Sequence, residues 1–143
     1  MRWLLEHAEV TAAEQAFVWR QLSDVGNWSD PPASFVLHGP FESGTRGETR
    51  FPGGEQVAWE LRAVRPGEGY TVESQLEGAI LLCEWTLSAA PGGGTTLRQR
   101  IGLSGPSAAA QAAAVREAFG AGLGDGMKRI ARDLDAAHHG RVG

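Results

Sequence analysis

The sequence predicts an α+β domain, an antiparallel sheet covered on one face by a C-terminal helix. Two observations carry that expectation. From Ser34 to Leu103 the apolar residues recur with period two, in short segments divided by glycine-rich separators. That is the pattern of strands joined by hairpins or meanders. Beyond Ser107 the period changes: Val115, Phe119, Leu123, Met127, Ile130 and Leu134 recur at spacings of four and three, an amphipathic helical stripe. At 143 residues one domain is expected, large enough to bury a core without staples.

The elements follow in order. Residues 2–10 are rich in aromatic and β-branched side chains and predict a strand, although their alternation is imperfect. Thr11-Ala-Ala-Glu14 has the form of a capping box, so a helix is expected to about Leu22, burying Ala12, Ala16, Trp19 and Leu22. Asn27 is expected to cap a further short turn through Trp28 and Asp30, ended by Pro31 and Pro32. Asp24 is expected to cap or brace the turn before Trp28. Six strands are then predicted at 34–38, 46–51, 56–65, 70–77, 80–89 and 95–103. Alternation sets Val57, Trp59, Leu61 and Ala63 on one face of the third of these. It sets Leu81, Cys83, Trp85 and Leu87 on the same face of the fifth, and Leu97, Gln99, Ile101 and Leu103 on that of the sixth. One face is apolar and the other largely wet, as in an antiparallel sheet covered on one side. Ser107 is expected to cap the last helix. As one rod, residues 107–138 would reach about 45–50 Å, against about 35–40 Å for a compact domain. A bend is therefore expected at GAGLGDG, Gly120 to Gly126, where glycine weakens the helix by about 1 kcal/mol per residue. The tail over 139–143 is expected to be flexible.

Composition narrows the function. Net charge is −4 and arginines are scattered among acids, so the basic footprint of a nucleic-acid binder is missing. The strand arginines Arg62, Arg98 and Arg100 are expected to pair across strands with acids such as Glu60 and Glu84. Charges at Arg2, Glu6 and Glu9 break any signal-like core, and no apolar run approaches the ~20 residues of a membrane span. The lone Cys83 has no disulfide partner. A cytoplasmic protein is expected, with no stable membrane insertion.

Chemistry-bearing constellations are sparse. His138 and His139 are adjacent and near the terminus, poor geometry for a metal, and no metal or cofactor is expected. Gly120-Ala-Gly-Leu-Gly124 lies inside a helical stripe and follows no strand, so it is no dinucleotide loop. His7 shares a parity with Trp3 and Leu5 and is expected to point inward. It is either a candidate general base or a histidine with its needs met at a sheet edge. Cys83 is expected to be a small core residue.

The order of elements resembles the helix-grip fold of the START-like, or SRPBCC, superfamily. The resemblance runs along the whole chain. It is carried by TAAEQAFVWRQLSDVGNW, LHGPFESGTRGE, VAWELRAVRPGEGY, GGGTTLRQRIGLSGP and the glycine-bearing last helix. It is especially close to small bacterial members described as polyketide cyclase/dehydrase-like. The resemblance implies a single domain over 1–138. It also implies a curved seven-stranded sheet wrapped around a long C-terminal helix, with two short helices after the first strand. Trp28 would sit at one end of the space between sheet and helix, either lining a ligand cavity or plugging the core.

The candidate ligand-binding residues are Trp28, Trp59, Tyr70, Trp85, Gln99, Phe119, Leu123 and Met127, which either line a pocket or fill it. Tyr70, Gln99, Ser74 and Cys83 can supply polar groups to a mostly apolar site. Access is expected between the last helix and the loops at Trp28, Gly39–Gly44 and Gly67–Gly69. Three functions stand open. One is binding of a hydrophobic or aromatic small molecule, lipid- or polyketide-like. Another is a cyclase or dehydratase using acid–base catalysis, with His7 and Tyr70 as the weak catalytic candidates. The third is an interaction module with a filled core, for which a homodimer is possible.

Overall fold

The structure is a computed structural model that describes residues 1–28 and 32–138 in full and the backbone of 139–142. Seven strands form one antiparallel, curved sheet: β1 (Arg2–Thr11), β2 (Ser34–Leu37), β3 (Arg46–Arg50), β4 (Gln56–Arg65), β5 (Gly69–Leu76), β6 (Ala79–Ala89) and β7 (Thr95–Ser104), in the order β1-β7-β6-β5-β4-β3-β2. Only β1 is out of sequence order, because it returns to pair with the last strand. Between β1 and β2 lie α1 (Gln15–Leu22) and the short 3₁₀ helix α2 (Val25–Asn27). Two helices, α3 (Ala108–Phe119) and α4 (Leu123–Val142), follow the sheet. The helix-grip architecture is as expected, and every predicted strand is present within two residues of its expected bounds. Among the described residues no helix is long and apolar enough to cross a membrane.

The inner face of the sheet carries two apolar clusters, and Leu123 packs against both. Ile101, Leu103, Ala112 and Val115 form an aliphatic core beneath α3. Phe17, Val18, Leu22, Trp59, Leu61, Tyr70, Leu97, Met127 and Leu134 form a larger core beneath α1 and α4. Full burial of an aliphatic side chain such as Leu61, Leu97 or Leu103 stabilises by about 1.5–3 kcal/mol. The outer face carries the expected ion pairs: Arg62 with Glu60 and Glu73, Arg98 with Glu6, Arg100 with Glu84.

Several local expectations are corrected. Thr11 does not cap α1. It ends β1 opposite Thr95, is fully buried, and its hydroxyl donates to Asp135 on α4. The Ala12 N–H donates to the same carboxylate oxygen at 2.8 Å, so this acid clasps α4 to the β1–α1 corner. The helix starts later, after Glu14, and its buried face is turned accordingly: Ala13, Phe17, Val18 and Leu22 are buried, while Ala12 and Ala16 are exposed and Trp19 is half-buried. Asp24 caps the short helix as expected, accepting from the Gly26 N–H at 2.9 Å, and Asn27 is that helix's last residue. The roles expected for Asp30 and Pro31, and residue 143, lie outside the described residues, while the backbone of 139–142, expected as a tail, continues α4. Ser107 occupies the cap position of α3 without a side-chain cap hydrogen bond.

Two irregularities in the sheet shift the alternation. A register shift between Trp3 and Leu5 sends Trp3 to the outer face, where the Arg100 guanidinium lies 4.0 Å from its ring centroid, while His7 keeps the inner parity of Leu5. A second shift between Arg62 and Arg65, with Ala63 at φ 48°, replaces Ala63 by Val64 as the core-packed residue. Val57, near the open end of β4, is 39% exposed. The expected helix break occurs at residues 120–122, and α4 restarts at Leu123, so Gly124 and Gly126 lie within its first turns.

Candidate functional site

The larger core is unusually aromatic at one end. Trp28 stacks on Tyr70, with centroids 6.0 Å apart and planes 11° apart. It lies 5.4 Å from Trp59 and meets Phe35 edge-on at 5.6 Å. Tyr70 in turn meets Phe41 edge-on at 5.0 Å and stacks on Trp85 at 6.5 Å. All of these separations suit attractive aromatic pairs, each worth about 0.5–1.5 kcal/mol beyond simple burial. The indole N–H of Trp28 donates to the Leu22 carbonyl at the end of α1, at 2.7 Å. That carbonyl would otherwise be an orphan of the helix terminus. A large ring in a polar loop is thereby explained: apolar faces go to Tyr70 and Trp59, and the polar edge closes α1.

Four of these rings, Trp28, Phe35, Tyr70 and Trp85, border a cavity of about 230 Å³ between the sheet, α2 and α4. Its inner wall is apolar, built from Trp28, Phe35, Tyr70, Val72 and Trp85, with Ile130 and Leu134 of α4 opposite. Its rim is polar: Gln21, Asn27, Arg129 and Asp133. Tyr70 is only 3% exposed, and burial pushes its phenol well above the usual range. No described residue hydrogen-bonds its hydroxyl, and no buried polar side-chain atom among the described residues lacks a partner, so the hydroxyl keeps some exposure in the cavity wall that Tyr70 helps to form. A neutral phenol in such a place donates a hydrogen bond rather than accepting a proton. Burial likewise pushes the neighbouring Cys83 thiol up to about 11.

A second hollow, of about 380 Å³, opens beside the helix break. Gln99, Phe119, Leu123, Gly126 and Met127 line it, and it shares Arg129 and Ile130 with the first.

The expected ligand residues therefore divide. Trp28, Tyr70 and Trp85 border the aromatic cavity, while Gln99, Phe119, Leu123 and Met127 border the second hollow. Trp59 lines neither of them. It is 5% exposed and sits behind Trp28 with its N–H donated to Thr49 at 3.1 Å. Ser74 pairs opposite Trp59 and borders neither hollow.

His7 lies on edge strand β1, with Nε2 2.7 Å from Glu9 Oε1 and the imidazole packed beneath Gly124. Register aligns His7, Gln99, Trp85 and Tyr70 in one row across four strands. Three strand spacings, about 14 Å, separate the ends of that row, so His7 and Tyr70 do not form a dyad. His138 packs edge-on against Phe17, with centroids 5.7 Å apart.

Sequence reasoning missed Phe35, Val72, Asn27, Arg129 and Asp133 as site residues. Val72 shares the alternation face of Tyr70, and Phe35 stands in a strand whose two faces differ, so periodicity could have found both. Arg129 and Asp133 flank the helical stripe at i, i+4 spacing, a signal that cannot be told from any solvated helix face. Phe41 joined the aromatic cluster from a loop, where no periodicity operates.

Comparison with solved structures reproduces the fold. Protein MLL2253 from Mesorhizobium loti superposes with a TM-score of 0.67 at 18% identity, covering 94% of this chain and 95% of that one. Protein Ms6760 from Mycobacterium smegmatis gives 0.62 at 21%, covering 93% and 88%. DynU16, from the dynemicin biosynthetic locus, gives 0.66 at 19%, covering 95% of this chain, which spans about half (48%) of that one. No curated protein matches the sequence. Residues 3–135 match the family described as polyketide cyclase / dehydrase and lipid transport, and the chain belongs to that family.

Proposed function

We propose that the protein binds a flat, largely apolar aromatic molecule in the cavity bordered by Trp28, Tyr70 and Trp85. The observation that carries this is an apolar space bordered by near-parallel rings, with the Tyr70 hydroxyl, which no described residue hydrogen-bonds, in its wall. A few polar groups in a mostly apolar hollow are the usual form of a small-molecule site. About 150 Å³ suffices for benzene in an engineered cavity, so the space suits a body of one or two fused rings. The family's description, polyketide cyclase / dehydrase and lipid transport, supports a hydrophobic small molecule as the ligand.

A second reading is favoured by the same hydroxyl. A neutral phenol held in an apolar wall can donate to a ligand carbonyl and stabilise negative charge developing there, as a cyclase or dehydratase of general acid–base type requires. Tyr70 would then be the donor, and His7, three strands away, would have no part in that step.

Fluorescence titration with naphthalene-type probes tests the binding reading. A saturable change that is lost in Trp28→Ala is expected. Emission unchanged by every probe, together with a long-chain fatty acid that does alter it, would move the site to a lipid-like ligand. Silence with both would count against a ligand site. Tyr70→Phe separates the two functions, since the binder keeps most of its affinity and the enzyme loses turnover.

A further inference from the structure

The second hollow has no packing explanation. Gly124 is accounted for, because a side chain there would meet His7 at 3.3 Å. Gly122 and Gly126 line the hollow, and a Cβ at either would meet nothing within 4 Å. The chain thus keeps Gly126 inside a helix, at about 1 kcal/mol relative to alanine, where alanine would fit. Within the same hollow stands the carboxamide of Gln99. It is half-buried on the inner face of β7, and no described residue hydrogen-bonds it. Gln99 lies in the same transverse row as Tyr70, with Trp85 between them, about 10 Å away at two strand spacings. The two hollows meet along Ile130 and Arg129 of α4.

We propose that the second hollow is a second compartment of the same ligand site, mostly apolar but with the Gln99 carboxamide as a hydrogen-bonding group in its wall. It would receive an uncharged hydrogen-bonding substituent (a hydroxyl, ketone or amide) on a ligand whose flat body lies against Trp85. Gln99 reads that substituent, and Tyr70 meets the polar group at the other end. A carboxamide both donates and accepts, which suits a neutral oxygen function. The proposal rests on the aromatic cavity being a ligand site, and it adds the requirement that the ligand be polar at both ends.

The test uses the purified full chain and a matched probe pair, 2-hydroxynaphthalene and 2,6-dihydroxynaphthalene, with affinities read by fluorescence. One neutral hydrogen bond predicts a preference of about 3–10-fold for the dihydroxy probe. Gln99→Leu should abolish that preference, so that the two probes bind with equal affinity. Gly126→Leu, which fills the hollow from the helix side, should do the same. Circular dichroism establishes that each variant is folded, and the two variants act from opposite walls. Equal affinities in wild type, or a preference that survives in both variants, would overturn the compartment while leaving the aromatic cavity standing. Failure of both probes to bind wild type would overturn the ligand site and the compartment together.

Discussion

Replacing Trp28 by alanine is expected to destabilise the fold by about 3 kcal/mol. Full truncation of a buried tryptophan costs about 3–5 kcal/mol. Trp28 is half-buried and borders an existing cavity, which places the packing loss near 2–3 kcal/mol. Its N–H bond to the Leu22 carbonyl adds about 0.5–1.5 kcal/mol, partly recovered because water can enter the enlarged space. Trp28→Phe keeps an aromatic ring and loses that bond, so about 1 kcal/mol is expected. Urea unfolding at neutral pH provides the assay, read from the midpoint at constant slope. A loss of 3 kcal/mol should lower Tm by about 10 °C in a domain of this size. A Trp28→Ala loss below about 0.5 kcal/mol, or Trp28→Phe as damaging as Trp28→Ala, would refute the assigned packing.

Three other outcomes follow from the same geometry. Gly47→Ala should cost about 1–3 kcal/mol by overpacking, since a Cβ there would come within 2.3 Å of the Trp59 ring; unfolding midpoints check it. Asp135→Ala should lower stability by about 2 kcal/mol, because Thr11 and the Ala12 N–H both lose their acceptor, and amide exchange at the β1–α1 corner should quicken more than exchange in β5. Tyr70 is the single tyrosine, so phenolate absorbance reports on it alone. Burial raises its folded pKa above the unfolded value near 10. The unfolded chain therefore releases the phenolic proton first, and stability is retained below pH ~10 and falls as pH rises beyond it. Absorbance should rise only together with loss of tryptophan emission, whereas an ordinary titration near pH 10 in the folded protein would contradict the burial.

Much of the fold was legible because its signals are local. Alternation at 81–87 and 97–103 depends only on which side chains face the core, and Gly-rich separators mark where strands turn. The helical stripe from Val115 to Leu134 identified the covering element, and the glycines located its break. The failures occurred where a tertiary partner outbid a local preference. Thr11 reads as a helix cap, but strand pairing with Thr95 and the carboxylate of Asp135, 124 residues away in sequence, claim it. Trp3 and Ala63 read as inward until bulges reverse them. The site was legible as a set of apolar side chains and not as a geometry. Periodicity could assign Trp85 and Gln99 to one face, but not that Ile130 and Arg129 of α4 lie between the two hollows that those residues border.

The central claim, that the aromatic enclosure is a ligand site, is tested most directly by native mass spectrometry of the purified chain in the presence of a panel of flat aromatic probes. A one-to-one adduct is expected in wild type, released on denaturation and absent in folded Trp28→Ala. An unliganded mass across the whole panel, or adducts equally abundant in wild type and Trp28→Ala, would contradict it.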